Sequence, residues 1–463
     1  MNNYEMDTIV AVSSPHGRGA IGVVRLSGER ALEIAGNIFT DVRGRKVGSF
    51  AGRIVYHGRL VDDGRCIDEV LMFVMKKPRS FTGEDLVEIS CHGNPIILGN
   101  VVGACVKKGA RIAQPGEFTK RAFLNEKIDL TQAEAVAELI SARSECAVSL
   151  AMANVNGRLK SQIAGLREGL LGILAGIEAC IDFPEEDVTS ESGIDAIYSI
   201  KKYINECNLI MRSSNGAKIL KDGLRVVIVG KTNAGKSSLF NRLLNKDRSI
   251  VTSHQGTTRD IIEESVSMDG VSVVLVDTAG ISVGGTEEIE RESARRSREA
   301  LMKADILLFV IDRSFHWSSQ DREISELARL KSGIAVYNKS DLPASVKKDE
   351  IPEMISLWPS IEVSSLYGHG IEEVRSMIVK MYSNIFSHEE LDSALFCNIR
   401  HSNSLKECRD ALQRAVDAVS SGYHEEVIAV EMRKAVNSLG EITGEDSGDE
   451  LINKIFSTFC IGK

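Results

Sequence analysis

Apolar positions change their spacing several times along the chain, and the changes divide it. From residue 8 to about 120, short apolar runs alternate with glycine-rich turns. Ile9–Val12, Ile21–Val24, Val70–Met75 and Leu86–Ile89 read as strands, with helices starting near Glu29 and Ile96. This mixture predicts an α+β domain over residues 1–120. Its loops Ser14-Pro-His-Gly-Arg-Gly-Ala20 and Ser80-Phe-Thr-Gly-Glu-Asp85 fit plain turn chemistry and a functional role equally well. Beyond Lys127 the period becomes helical. Leu159, Ile163, Leu166, Leu170, Ile173 and Ile177 form one stripe, which Asp182–Asp187 breaks. A second helical pattern runs to Arg212, and Ser213-Ser-Asn-Gly216 reads as its end. Residues 121–217 are therefore the first part of a helical domain.

Strand-like runs return between residues 218 and 386: Val226–Val229, Val271–Val276, Ile306–Ile311, Ile334–Tyr337 and Ile361–Val363. Their alternation with helical segments predicts right-handed crossovers and a parallel sheet. Residues 387–463 are helical again, with Leu405, Cys408, Ala411, Leu412, Ala415 and Val416 at helical spacing. Two helical blocks flank a complete α/β domain, so the reading is one helical domain with the α/β domain inserted in it.

Composition changes this picture little. The chain has 463 residues, 43% hydrophobic and 26% charged, and suits about three globular domains. A net charge of −9 argues against a general nucleic-acid coat but allows a local basic patch. Nine cysteines show no C-x-x-C pair or metal spacing, as expected of reduced thiols. The polar opening Met1–Asp7 is no signal peptide, and no apolar run reaches membrane-spanning length. A cytoplasmic protein without membrane contact is expected.

Candidate chemistry concentrates in Gly230-Lys-Thr-Asn-Ala-Gly-Lys-Ser237, a phosphate-binding loop between a strand and the helix starting near Ser238. Lys236 would reach the β- and γ-phosphates and Ser237 would hold Mg²⁺. Asp277-Thr-Ala-Gly280 ends a strand, where Asp277 would hold Mg²⁺ through water and Gly280 would meet the γ-phosphate. Asn338-Lys-Ser-Asp341 ends a later strand. The Asp341 carboxylate can accept the paired ring N–H and amine of guanine, which adenine lacks, and so selects GTP. Ser364 would add a backbone N–H to the base carbonyl. Gly256-Thr-Thr-Arg-Asp260 lies where a switch loop belongs, with Thr258 on Mg²⁺.

Further stretches are specific. Pro15-His-Gly-Arg-Gly19, Phe81-Thr-Gly-Glu-Asp85, Gln114–Asn125, Asp129-Leu-Thr-Gln-Ala-Glu-Ala135 and the terminal Cys460-Ile-Gly-Lys463 give the whole chain a resemblance to the MnmE/TrmE family of tRNA-modification GTPases. The resemblance implies an N-terminal α+β folate-binding and dimerisation domain, a helical domain and an inserted Ras-like P-loop GTPase domain. It implies a homodimer that works with the flavoprotein MnmG, which carries FAD. Together they place an aminomethyl or carboxymethylaminomethyl group on the wobble uridine of certain tRNAs, with a formyl-tetrahydrofolate or related folate as one-carbon source. Arg25, Glu88, Lys127 and Lys463 fall at the family's folate-contacting positions, although by themselves they also read as ordinary surface charges.

By the same resemblance, K⁺ activates hydrolysis, with Asn233, Thr252, His254 and Thr257 as its ligands. Asn233 reads equally as a turn residue. The implied GTP contacts include Asn233, Ala234, Gly235, Lys236, Ser237 and Ser238, then Thr252, Ser253, His254, Gln255, Gly256, Thr257 and Thr258. Asp277, Thr278, Ala279, Gly280, Asn338, Lys339, Asp341 and Ser364 complete the set. Gly284–Arg291 carries one residue more than the family pattern, so Glu290 aligns as the water-orienting carboxylate with Glu288 as its neighbour. Ser282 stands where the family usually has arginine. Cys460 is implied as a functional thiol. A regulatory GTPase of ribosome assembly or transport is the alternative, and it needs neither the folate-type loops nor the Cys460 tail.

Overall fold

The computed structural model describes residues 7–42, 50–142, 145–182, 193–244, 262–269, 271–277, 299–329, 331–385, 397–445 and 448–463. The chain forms two compact units. One holds Met1–Glu138, Asn154–Tyr203 and Ser404–Lys463; the other holds Leu139–Ala153 and Ile204–Asn403.

The first unit opens with β1 (Ile9–Val12), β2 (Ile21–Ser27), α1 (Ala31–Ile38), β3 (Phe39–Asp41), β4 (Ile54–Asp62), β5 (Arg65–Met75), β6 (Leu86–His92), α2 (Pro95–Lys107) and β7 (Arg111–Ile112). The strands form one sheet in the order β3-β4-β5-β6-β2-β1-β7. Neighbours are antiparallel except β1 and β7. Alternation sorts the side chains of β2. Val24 and Leu26 join Ile34, Ile38, Met72, Ile89 and Val101 in the core, so Arg25 between them points to the opposite face. Register places Arg25 directly across from Glu88 of β6. β4 escapes the sequence pattern because Gly58 and charged residues interrupt its alternation, leaving Leu60 as its main buried side chain.

Next in the chain come α3 (Glu117–Leu124), α4 (Leu130–Ser141), α5 (Glu145–Val155), α6 (Arg158–Asp182) and α7 (Gly193–Asp222), of which most of α5 and α7 from Ile204 onward belong to the second unit. The α6 stripe is buried at Leu159, Ile163, Leu166 and Leu170, after which Leu174 rather than Ile173 carries it. The expected end of the second helix is corrected: α7 continues through Ser213–Gly216 to Asp222. Serine, asparagine and glycine lower helix propensity without forbidding the conformation. The break falls at Gly223, which adopts the left-handed φ of +85°.

The second unit contains β8 (Leu224–Val229), α8 (Lys236–Leu244), β9 (Ile262–Met268), β10 (Val271–Asp277), β11 (Ile306–Asp312), α9 (Ser319–Ala328), β12 (Gly333–Asn338), α10 (Glu353–Ser356), β13 (Ser360–Val363) and α11 (Ile371–Ile385). The sheet order is β13-β12-β11-β8-β10-β9. It is parallel, as the alternation predicts, except for the antiparallel edge strand β9. Among its described side chains, the polar run of β9 buries Val266 and Met268, and it gives little apolar signal. The first unit closes with α12 (Ile399–Ser420), α13 (Glu425–Thr443) and α14 (Asp449–Ser457). Leu405, Cys408, Ala411, Leu412, Ala415 and Val416 of α12 are all buried, and α13 packs on α6.

Candidate functional site

The phosphate loop leaves the C-terminal end of the central strand β8 and enters α8 at Lys236, so loop amides and a helix start share one place. Asn233 adopts φ +61°, a conformation asparagine tolerates better than most residues. Gly235 is required: a Cβ there would lie 2.1 Å from Asn338 Nδ2. Lys236 is 8% exposed and donates to the carbonyls of Gly230 (2.8 Å) and Lys231 (2.7 Å). Burial lowers its pKa from the ordinary lysine value, and the charge of Asp277 opposes that shift. Asp277 is buried at the end of β10, while Ser237 and Ser238 are exposed in the first turn of α8.

β12 ends at Asn338 and brings the base-side residues to the same edge. Asn338 Nδ2 donates to Ala234 O at 2.8 Å, and its Oδ1 accepts from Ser365 N at 3.1 Å and Ser365 Oγ at 2.9 Å. Ser364 Oγ donates to Asp341 Oδ1 at 2.5 Å. The Ser364 N–H donates to His369 O at 3.0 Å. Lys339 pairs with Asp312 at 2.6 Å. Burial opposes ionisation of Asp312, but Lys339 and Ser314 outweigh it and hold its pKa below the ordinary value. Asp312 and Ser365 belong to no motif, so only the fold reveals them. Thr252, Ser253, His254, Gln255, Gly256, Thr257, Thr258, Thr278, Ala279, Gly280, Ser282, Glu288 and Glu290 lie outside the described residues.

A second constellation forms on the N-terminal sheet. Arg25 Nε and Nη2 donate to Glu88 Oε1 at 2.9 and 2.7 Å, and Oε2 accepts no hydrogen bond among the described residues. The rings of Phe81 and Phe118 each lie 5.6 Å from the guanidinium. The C-terminal tail reaches this face. Ser13 Oγ donates to Gly462 O at 2.8 Å, and Gly116 N donates to Cys460 O at 3.3 Å. Gly462 has φ +94°, and a Cβ there would lie 2.1 Å from Val12 O. Burial lowers the Lys463 pKa, Cys460 opposes the shift, and the positive charge of Arg25 adds to it. Cys460 is an exposed free thiol. Lys127 Nζ donates to Pro78 O at 3.1 Å and its stem packs near Gly83, against the loop that carries Phe81. Arg25 and Glu88 thus pair on the sheet, Lys463 lies within electrostatic reach of Arg25 and Cys460, and Lys127 packs on the loop that carries Phe81.

A phosphate loop after β8 of a mainly parallel sheet, with a carboxylate suited to guanine just beyond β12 of the same sheet, defines a P-loop GTPase. Residues 8–127 match the family model of the GTP-binding protein TrmE N-terminus, and residues 130–460 match that of the MnmE helical domain. The tRNA modification GTPase MnmE of Thermoanaerobacter pseudethanolicus is 39% identical over 462 residues, 99% of each chain. That of Staphylococcus haemolyticus is 40% identical over 466 residues, 99% of this chain and 100% of the relative. Among solved structures, the G domain of the T. maritima FeoB iron transporter is 25% identical, covers 35% of this chain and 98% of its own, and has a TM-score of 0.26. The chain belongs to the MnmE family of tRNA-modification GTPases. This membership favours tRNA modification over the assembly or transport alternative. No helix among the described residues is long and apolar enough to cross a membrane.

Proposed function

We propose that this GTPase uses GTP hydrolysis to drive modification at C5 of the wobble uridine of certain tRNAs, as a cytoplasmic homodimer working with an MnmG-type flavoprotein that holds FAD. The added group is carboxymethylaminomethyl or aminomethyl. The observation that carries the reading is the seat of the Cys460–Lys463 tail beside Arg25 and Glu88. A GTPase switch alone has no use for a thiol and a cation held there.

In the nucleotide site, Lys236 exchanges the carbonyls of Gly230 and Lys231 for phosphate oxygens, which return charge to a buried ammonium. Asp341, aimed by Ser364, accepts the guanine donors. Glu290 orients the attacking water, with Glu288 as the neighbouring candidate. Ser237 and Thr258, with Asp277 acting through water, form a hard-oxygen donor set that suits Mg²⁺. The metal supplies charge neutralisation on the phosphates. Asn233, Thr252, His254 and Thr257 are assigned to K⁺, which supplies the positive charge an arginine gives other GTPases.

On the sheet, Glu88 Oε2 can accept pterin N–H donors, while Arg25, Lys127 and Lys463 match anionic groups of a folate. The folate supplies the one-carbon unit, and Cys460 presents its thiol beside it. Nucleoside analysis of tRNA from cells lacking the chain tests the function: the C5-substituted wobble uridines should disappear, and an unchanged profile would refute it. Glu290→Ala should retain GTP binding and slow hydrolysis by about 10²–10⁴. Undiminished hydrolysis would transfer the role to Glu288.

A further inference from the structure

The helix that begins at the phosphate loop also grips the loop around the guanine site. Arg242, on the exposed side of α8, donates from Nε to Ser365 O at 3.0 Å and from Nη2 to Leu366 O. The segment it holds is closed on itself. Gly368 N donates to Ser364 O at 2.7 Å, Ser364 N to His369 O at 3.0 Å, and Tyr367 N to Ser364 Oγ at 3.4 Å. Gly368 takes φ +85°, and a Cβ there would lie 3.7 Å from Arg242 Nη1, so the guanidinium lies along the turn. Ser364, at the root of this turn, donates to Asp341, and Ser365 donates twice to Asn338. The turn therefore has two anchors: Asn338 fastens it to the phosphate loop, and Arg242 to the helix that Lys236 begins.

We propose that Arg242 is a positioning residue for guanine recognition. It fixes the Ser364–Gly370 turn so that Ser364 holds Asp341 in the plane of the base. Without it, the turn keeps its own hydrogen bonds and the Asn338 anchor but gains freedom at Leu366 and Tyr367, which are already 66% and 64% exposed. The Asp341 carboxylate is then aimed less well. The effect falls on the contact to the exocyclic amine, which GTP has and inosine triphosphate lacks. An exposed arginine contributes little to folding, so its removal is not expected to unfold the domain.

The inference rests on Asp341 as the guanine acceptor, so Asp341→Asn, read against xanthosine triphosphate, is measured alongside. In the full-length chain, Arg242→Met should weaken GTP binding about fivefold to tenfold, as loss of two hydrogen bonds to carbonyls implies. It should affect inosine triphosphate less, so the GTP-to-inosine-triphosphate preference shrinks while kcat at saturation holds. Arg242→Lys, which reaches one carbonyl, should recover part of the preference. Wild-type preference in Arg242→Met overturns the inference. So does an equal loss for both nucleotides with a lowered melting temperature, the signature of a merely structural residue. If Asp341→Asn fails to shift preference toward xanthosine triphosphate, the guanine-site assignment itself fails.

Discussion

Asn338 Nδ2 donates to Ala234 O at 2.8 Å, so the first residue of the base motif is fastened to the phosphate loop. The same side chain holds Ser365 through its oxygen. Asn338 is 2% exposed, so its removal leaves buried donors and an acceptor unpaired. Asn338→Ala should cost about 1–3 kcal/mol of nucleotide binding, roughly 10- to 100-fold in Kd. Titration with a fluorescent GDP analogue measures this; wild-type affinity would show that the bridge is not needed.

Asp341→Asn exchanges one of two paired acceptors for a donor. Loss of a charge-assisted hydrogen bond at about 1.5–3 kcal/mol predicts roughly 10- to 100-fold weaker GTP binding, with a gain for xanthosine triphosphate. Competition binding with both nucleotides checks it, and unaltered discrimination would remove Asp341 from the base site.

Potassium dependence follows from the proposed Asn233 site. Hydrolysis should run faster in K⁺ than in Na⁺ by about 10-fold or more, since the smaller ion suits a set of carbonyls and one amide less well. Asn233→Ser should flatten the difference. The φ of +61° at this position also strains most replacements, so nucleotide affinity is measured with the rate. Equal rates in both salts would rule out the ion as the activating charge.

Acid sensitivity is expected in the N-terminal sheet. Burial pushes the Asp7 and Glu117 carboxyls up, but hydrogen bonds and charge from Arg111 and Arg121 hold both below their ordinary values of 3.8 and 4.5. With folded values depressed, their stabilisation is complete above those ordinary values and is lost as pH falls through the folded ones. The melting temperature should hold down to about pH 5 and drop at lower pH. Arg121→Met should move the drop to higher pH, because burial then acts on Glu117 with less opposition. A melting profile unchanged by Arg121→Met would contradict this.

The sequence exposed those parts of the molecule in which local pattern and chemistry coincide. Gly230–Ser237 and Asn338–Asp341 carry residue types that few other tasks need, and the strands leading into them are continuous apolar runs. β4 and β9 lacked such runs, and α7 passed through Ser213–Gly216 because only Gly223 adopts a conformation that a helix cannot contain. Pairing was hidden where distant residues meet. Arg25 and Glu88 are 63 positions apart, and only the family resemblance linked them beforehand; Ser13 and Gly462 are 449 apart, and nothing in the sequence joined them. The hydrogen bond from the Ser364 hydroxyl to Asp341, 23 positions away, was likewise not legible in the sequence.

The most direct measurement joins the two constellations: nucleoside composition of tRNA from cells whose only copy of the chain carries Cys460→Ser, with GTP hydrolysis assayed on the purified variant. Cys460 is exposed and belongs to the first unit, while the phosphate loop belongs to the second, so hydrolysis should remain near wild type. The C5-substituted wobble uridines should be lost, as in cells lacking the chain. Normal wobble modification by Cys460→Ser would contradict the account, since the tail beside Arg25 and Glu88 would then take no part in the chemistry.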